Sequence, residues 1–452
     1  MFTMKTYGYD YCFAISTEEI NKILINNLSN LNMEFKYSGH DKQSGSTITL
    51  NAKVLPWQII KGGQNSLLRF SMPFSEGHLS IKGPISNNYD LSNVTVLIEV
   101  SLGWLGSNNT QETKGSGHIT QLIFSPTKTT DPNNPGYVSV VNILDPNKHL
   151  DTIGMGLLRN YMIDILFENR KKINYIFANV VPQPKNVASW LTPYEWIYYY
   201  STGKHYDALC FLCLLSKKSW PATPVFDSTI LQEKNNVSIL VSQESFFKHV
   251  VMPAIRSTFS SGKFSLNVNT EELCTIKNQG DFVVTTSKGK ITANSFKLTT
   301  SHSGNGLTSI TSGGGSLKFL FGLAKLPGAS YSWRCEITNQ LKYSNEMISF
   351  LSDPHPITHH DQTIHWYDWV LLVAVGITSL PGLIAFIVDS INGFSNQVND
   401  IGIDTINGGI EASVTGSMMN LANLIDWDEQ SKKFDPVNAG LDGALSVHGN
   451  LQ

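Results

Sequence analysis

Most of the chain alternates between apolar and polar residues, as half-buried β-strands do. Residues 46–54 and 94–102 place apolar side chains at every second position, and residues 264–268 and 317–323 repeat the pattern. Period-two alternation bounded by Gly, Asn and Pro predicts antiparallel strands with one apolar face. A sheet with one apolar face needs an apolar layer to cover it. We therefore expect a protein rich in one-sided β-sheet, with helices as the covering layer.

Three segments show helical spacing instead. Ser16 and Glu19 form a capping box at the start of the first helix. The apolar stripe of this helix consists of Ile20, Ile23, Leu24 and Leu28. A second helix is predicted to begin at Ser242, and Pro253 inside it should kink it or end its first half. Its apolar face includes Phe247, Val250, Val251 and Ala254. A third helix is predicted over residues 154–172.

A capped helix followed by several strands occurs near the start and again after the middle of the chain. Between them, residues 216–234 are rich in Ser, Pro, Lys and Asp, which is typical of a junction. The pattern predicts an α+β protein of two units, each a curved antiparallel sheet around a long helix. We place the units at residues 1–225 and 226–452. The glycine-rich stretch 303–316 is predicted to be a flexible turn of the second unit.

The longest apolar run, residues 370–388, has no charge and just meets the length of a membrane span. Turn residues at its centre and acidic flanks without basic anchors argue against a constitutive span. We predict a buried helical hairpin over 366–391 that plugs or covers the second sheet, with conditional membrane insertion as the alternative. The plug or membrane candidates are Trp369, Leu371, Leu372, Leu380, Pro381, Leu383, Ile384 and Phe386.

Amphipathic helices are predicted over residues 392–427, a helical region near the end of the chain. Apolar side chains recur there every three or four positions, among them Ile406 and Ile410. The polar face carries Asp389, Asp400 and Asp404 rather than the Lys and Arg of surface-binding helices, which disfavours attraction to anionic lipid.

Charge, the N-terminal sequence and the cysteine content limit the functions that this chain could have. Charged residues make up 15% of the chain and the formal net charge is -3, so nucleic-acid binding is not expected. The N-terminus lacks the apolar run of a secretory signal, which predicts synthesis in the cytoplasm and release by another route. Five cysteines do not suggest a disulfide framework. Cys210 and Cys213 form a C-x-x-C with apolar flanks, which favours buried packing over a redox or metal role.

No motif of a hydrolase, nucleotide-binding enzyme or zinc enzyme is present, so no catalytic residue and no metal site is predicted. One histidine cluster precedes the apolar run: His355, His359, His360 and His365. Histidine titrates near neutral pH, so these residues are candidates for a pH switch at a hinge. A metal site and a plain polar linker are the alternatives.

Three segments together resemble one family: residues 6–24, 189–215 and 238–259. The carrying motifs are Tyr7-Gly8-Tyr9-Asp10, then Trp190-Leu191-Thr192-Pro193, then the pattern from Phe246 to Pro253. They resemble the accessory proteins encoded beside clostridial neurotoxins, the forty-seven-kilodalton protein and its OrfX relatives. The family commonly has Trp where this chain has Tyr9.

The resemblance implies the fold of the tubular lipid-binding (TULIP) superfamily, in which a curved sheet wraps a long helix and can leave an apolar groove. It also implies a non-enzymatic, bacterial accessory protein without a cofactor, whose ligand would be a phospholipid or fatty acid held against the two helix faces named above. Complexes with other proteins of the same gene cluster are implied as well. Two alternatives stay open, namely an insecticidal or membrane-active component using residues 369–425, and a purely structural subunit of a toxin complex.

Overall fold

The computed structural model describes most of the chain. The described residues are 4–28, 33–42, 44–105, 111–117, 121–173, 175–180, 188–203, 206–226, 230–231, 234–286, 289–301, 304–318, 325–345, 347–364, 388–389, 391–393, 395–396, 402–411, 425–426 and 434–451.

The chain folds into two compact units assembled from separate segments. The N unit comprises Thr6–Ile239, Met418–Val437 and His448–Gln452. The C unit comprises Met1–Lys5, Leu240–Ser417 and Asn438–Val447. The domain division at residue 225 stays a prediction.

Strands form most of the regular structure. They are β1 (Tyr11–Ser16), β2 (Glu34–Asp41), β3 (Ser46–Val54), β4 (Gln58–Gln64), β5 (Leu67–Lys82), β6 (Asn87–Asp90), β7 (Thr95–Ser101), β8 (Gly103–Leu105), β9 (Gln111–Glu112), β10 (Gly115–Ser116), β11 (Gln121–Phe124), β12 (Val138–Leu144), β13 (Tyr175–Val180), β14 (Glu195–Ser201), β15 (Ala208–Leu214), β16 (Val237–Val241), β17 (Phe264–Val268), β18 (Cys274–Asn278), β19 (Phe282–Thr286), β20 (Gly289–Thr300), β21 (Gly306–Lys318), β22 (Lys325–Ser344), β23 (Met347–Phe350), β24 (Ile357–Ile364), β25 (Ile425–Asp426), β26 (Phe434–Asp442) and β27 (Ala444–Leu451).

The α-helices are α1 (Thr17–Leu28), α2 (Thr152–Glu168), α3 (Arg170–Ile173), α4 (Gln243–Phe246), α5 (Met252–Thr258) and α6 (Ile403–Ile410). A 3₁₀ turn spans Ser189–Leu191, and a π-helical turn spans Phe247–Val251. The Ser16 cap of the predicted capping box is confirmed, because the Glu19 N–H donates to Ser16 Oγ at 3.2 Å. The reciprocal half is replaced, since the Ser16 N–H donates to the Asn236 carbonyl at 2.8 Å. Asp151 caps α2 by accepting the Gly154 N–H at 2.8 Å. All three predicted helices are therefore present.

The strands that the structure describes form four sheets. Their orders are β10-β14-β15-β1-β16-β27-β26, then β25-β13-β11-β8-β9, then β12-β7-β5-β3-β2 with β4 and β6 also on β5, and finally β17-β18-β20-β21-β22-β23 with β19 on β20 and β24 on β22. The pairs β14–β15, β21–β22, β3–β5 and β5–β7 are antiparallel, as the alternation predicted.

Each unit has an aromatic core beneath its strands. In the N unit, Trp104 packs edge-on against Trp196 and Phe211, with ring centroids 6.1 Å apart in both pairs. In the C unit, four phenylalanine rings pack together with centroids 5.4–6.4 Å apart. They are Phe259, Phe264, Phe282 and Phe296. Offset and edge-on aromatic pairs of this kind add to the hydrophobic stabilisation of a core.

The prediction of a flexible glycine-rich turn at residues 303–316 is wrong. Most of this stretch belongs to β21, which pairs with β20 and β22. A side chain at Gly313 would collide with the carbonyl oxygen of Thr292 and the indole of Trp333. Glycine serves here to let neighbouring strands approach closely, which composition alone could not distinguish from turn formation.

Candidate functional site

The predicted apolar stripe of α1 lies inside the N unit. Ile20, Ile23 and Leu24 are 1%, 3% and 2% exposed. The helix packs against β1 and β4, and Asn21 fixes it there by accepting the Ile59 N–H at 2.7 Å and donating to the Ile59 carbonyl at 2.9 Å. Leu28 ends the helix, and its side chain is outside the described set.

The apolar face of the second helix is buried inside the C unit. Phe247, Val250, Val251 and Ala254 are at most 4% exposed. The helix does not stop at Pro253 but passes it through the π-helical turn, in which the Met252 N–H bonds to the Phe247 carbonyl. A π-turn accommodates proline because the bonding pattern shifts by one residue. The two candidate faces therefore belong to different units, and each is packed within its own.

The histidine cluster lies in a strand and the turn before it. His359 and His360 belong to β24, where they pair with Arg334 and Trp333 of β22, and both are exposed. His355 is exposed in the preceding turn, and His365 lies outside the described residues. A strand paired along this length is not the free hinge that the sequence suggested, and the pH switch stays a prediction.

The eight plug or membrane candidates from Trp369 to Phe386 lie outside the described residues. Among the helices that the structure describes, none is both long and apolar enough to cross a membrane. Within the same part of the chain, no three His, Cys, Asp or Glu side chains gather closely enough to hold a metal ion.

The five cysteines, all among the described residues, are free and buried. Cys210 and Cys213 are free, buried and three positions apart on β15, so their side chains point to opposite faces and cannot form a disulfide with each other. Burial raises the pKa of both thiols. The packing interpretation of this C-x-x-C agrees with these positions.

A buried serine–histidine contact was not anticipated. Ser238 Oγ lies 2.8 Å from His448 Nδ1 and donates to the Ile230 carbonyl at 3.1 Å. Both residues are at most 2% exposed, and burial lowers the pKa of His448 to about 4. A hydroxyl that no substrate can reach is not a nucleophile, so we interpret this pair as part of the core.

The N-terminal motif Tyr7-Gly8-Tyr9-Asp10 contacts the segment that follows β15. Asp10 Oδ1 lies 2.7 Å from Lys218 Nζ, and Asp10 Oδ2 accepts the Leu215 N–H at 2.9 Å. Tyr9 packs edge-on against Trp220 with centroids 6.0 Å apart. Because Tyr9 is 1% exposed and Asp10 is 7% exposed, the motif serves as a structural anchor within the N unit.

The sequence reasoning missed four exposed apolar residues on two adjoining elements of the N unit, β12 and α2. We call them together the α2 patch; they are Val141, Leu144, Ile153 and Met155, which are 36–46% exposed. The opposite side of α2 is buried through residues such as Leu158 and Met162, and the helix packs against β2 and β12. The near absence of a polar face on α2 was the available signal, because a surface helix normally has one.

Comparisons with known proteins agree with the sequence resemblance. Protein P47 of Clostridium botulinum (strain Kyoto / Type A2) is 25% identical over 255 residues, which cover 55% of this chain and 56% of that protein. The alignment thus spans little more than half of that relative.

Two solved structures share the fold. The structure of P47 from Clostridium botulinum A2 matches with a TM-score of 0.74 at 19% identity, covering 99% of this chain and 98% of that one. The crystal structure of P47 of Clostridium botulinum E1 matches with a TM-score of 0.69 at 20% identity, covering 99% and 100%. A family model described as OrfX-like, Protein OrfX2/OrfX3/P47, matches residues 6–305. Since this match covers well over half of the chain and includes all three signature motifs, the protein belongs to the OrfX-like family.

Proposed function

We propose that this protein is a non-enzymatic accessory protein of a toxin gene cluster that binds lipid through apolar surface and grooves. Other proteins of the same cluster are its proposed protein partners. The proposal includes a tubular lipid-binding fold for each unit, with a helical region near the end of the chain. It also includes membrane contact that is conditional at most, and no binding of nucleic acid.

The α2 patch carries this proposal. Single exposed apolar residues are ordinary, whereas a contiguous exposed apolar patch marks an interaction site. The four residues are candidates for such a patch because they lie on two elements in contact. Ile153 and Met155 lie in the first turn of α2, and Leu144 ends the strand that α2 packs against. Gly154 brings this turn close to the ring of Tyr89, which keeps its neighbours directed outward. An acyl chain would remove this apolar surface from water.

The packed helix faces support a role in binding rather than in catalysis. The candidate groove residues of α1 and of the second helix are in van der Waals packing inside their units, so a lipid would reach them only after side chains separate. The thiols and the Ser238–His448 contact are equally enclosed. Among the described residues, the accessible feature suited to a lipid is therefore apolar surface rather than a reactive group.

The test is lipid capture by the full chain. Native mass spectrometry of gently purified protein, followed by uptake of a fluorescent phosphatidylcholine, should show bound lipid. Changing Ile153→Asn together with Met155→Gln should reduce uptake at least fivefold. Ile85→Asn is the matched control, because Ile85 is 56% exposed in the same unit but lies outside the patch.

Lipid-free protein that takes up no phosphatidylcholine would contradict lipid binding. If the patch variant takes up as much phosphatidylcholine as the wild type, the α2 patch is not the lipid site and the two helix faces become the candidates. A partner protein that binds the wild type and not the patch variant, in the absence of lipid uptake, would favour a role as a structural subunit.

A further inference from the structure

Strand β14 leaves part of its outer edge unpaired. Its inner edge pairs with β15 over the whole of Glu195–Ser201. Its outer edge meets β10 at Trp196, and the Tyr200 N–H donates to the Asn65 carbonyl at 2.7 Å. Alternate residues of an antiparallel strand direct their backbone groups to the same edge. The N–H and C=O of Tyr198 therefore point outward between these two attachments.

The backbone of Tyr198 has no hydrogen-bond partner in the part of the chain that the structure describes. The residue is only 5% exposed. Nearly all buried backbone groups in proteins are paired with protein, water or ligand, and an unpaired one is costly. Something that accepts and donates hydrogen bonds is therefore needed beside this edge.

A cavity of about 260 Å³ lies there, entirely within the N unit. Its deep part is formed by Ser101, Leu102 and Tyr198, which are 2%, 2% and 5% exposed. The Tyr198 side chain is fixed, because its hydroxyl donates to the Ser66 carbonyl at 2.6 Å and accepts the Leu102 N–H at 2.8 Å. The cavity thus has a rigid floor, which favours binding over collapse.

The lining determines what could bind. Among the residues that the structure describes, no charged side chain lines the cavity. Its exposed rim carries the amide of Asn133 and the hydroxyl of Thr113, and its walls include Tyr199 and Pro135. The Asn133 amide nitrogen is held by Asp131 Oδ1 at 3.0 Å, which directs the amide and leaves its carbonyl oxygen as an acceptor. This combination suits a neutral molecule with several hydroxyl groups and an apolar face.

We propose that this cavity binds one neutral sugar ring, either as a free sugar or as the terminal residue of a glycan. A sugar ring offers hydroxyl groups to the Tyr198 backbone and to the rim, and its C–H face suits Tyr199 and Pro135. The volume is below the roughly 300–1,000 Å³ of pockets for drug-sized ligands, so only one ring fits in depth. The site shares no residue with the α2 patch, and its test is independent of lipid binding.

The experiment uses the full chain with methyl glycosides of neutral hexoses and N-acetylhexosamines. Saturation-transfer NMR and titration calorimetry should show saturable binding of at least one neutral glycoside and none of methyl glucuronide. Asn133→Ala should weaken this binding about threefold to tenfold, since one neutral hydrogen bond is lost. Asn134→Ala is the matched control, because this neighbouring exposed amide does not line the cavity.

A second variant keeps the test decisive. Thr113→Trp, placed on the exposed rim, should obstruct the mouth and abolish binding while the melting temperature stays that of the wild type. A glycan array then separates the two sources, because terminal-residue recognition gives array signals that the matching free glycoside competes away. Absence of saturable binding by every neutral glycoside would overturn the proposal and assign the cavity to water. Equal weakening by Asn133→Ala and Asn134→Ala would overturn it as well.

Discussion

Replacing Asp10 with Ala should loosen the segment that follows β15 in the N unit. The carboxylate is almost enclosed and bonds both the Leu215 backbone N–H, at 2.9 Å, and the Lys218 ammonium, at 2.7 Å. The substitution removes the acceptor of a backbone amide and the counter-ion of Lys218 together. Because Asp10 is part of the family's signature motif, this prediction asks whether the motif acts as a structural anchor.

The magnitude follows from the two contacts. A hydrogen bond to a charged group contributes about 1.5–3 kcal/mol. The ion pair adds only about 0–1 kcal/mol, because the Lys218 side chain is 34% exposed and water can replace its partner. We expect Asp10→Ala to lower the free energy of unfolding by about 2–4 kcal/mol. Asp10→Asn, which keeps an acceptor for Leu215, should cost less, and Lys218→Met should cost less still.

Urea unfolding at pH 7 gives the free energies, and hydrogen exchange locates the effect. The Leu215 amide should exchange faster in Asp10→Ala and keep its protection in Lys218→Met. The order of the three variants is the critical result. An unfolding free energy of Asp10→Ala within about 0.5 kcal/mol of wild type, or unchanged protection of the Leu215 amide, would refute the anchoring role.

Three further perturbations test other parts of the fold. Burial lowers the pKa of His448 to about 4, so its contribution to stability is complete above about pH 6.5 and is lost as the pH falls toward 4. The free energy of unfolding should therefore be about 2 kcal/mol lower at pH 5 than at pH 7. Urea unfolding at the two pH values measures this difference, and His448→Gln should remove it. Asn407→Ala should lower the free energy of unfolding by about 1–3 kcal/mol, because it leaves the N–H and C=O of Phe350 in β23 unpaired. Unchanged hydrogen exchange of the Phe350 amide would contradict this. Gly313→Ala should destabilise the protein by about 1–3 kcal/mol through overpacking. Gly315→Ala should leave the melting temperature unchanged, because a methyl group there would lie 3.8 Å from its nearest neighbour. Equal effects of the two substitutions would show that the strand contacts are not the cause.

The predictable parts of this fold are those set by neighbours in sequence. The Ser16 cap is determined within one helical turn, and the burial of Val96, Ile98 and Val100 follows from period two along β7. The same alternation places Val268 on an apolar face, yet it is 43% exposed. The reason is that β17 is an edge strand of its sheet. The periodicity of one segment does not encode the order of strands in a sheet.

The features that escaped prediction depend on contacts distant in sequence. Gly313 resembles a turn glycine until β20 and β22 are placed on either side of it. Burial lowers the pKa of His448, a histidine that stands alone in sequence. Its environment is created by Ser238 and Ile230, more than two hundred positions earlier. The cavity beside Tyr198 likewise arises from the place where pairing of β14 stops.

Asparagine has a role in this chain that hydropathy cannot detect. Asn21, Asn169 and Asn407 each accept from and donate to the backbone of a single strand residue, at distances of 2.7–3.1 Å. The strand residues are Ile59, Lys36 and Phe350 in that order.

Among the described strands, all three partners lie on strands that pair along one edge only, namely β4, β2 and β23. A primary amide presents one acceptor and its donors much as a peptide group does, so each asparagine occupies an edge position that another strand could otherwise take. Asn21 and Asn407 directly follow Ile20 and Ile406, which are 1% exposed. At these three positions a side-chain amide, rather than an ion pair, protects the sheet edge.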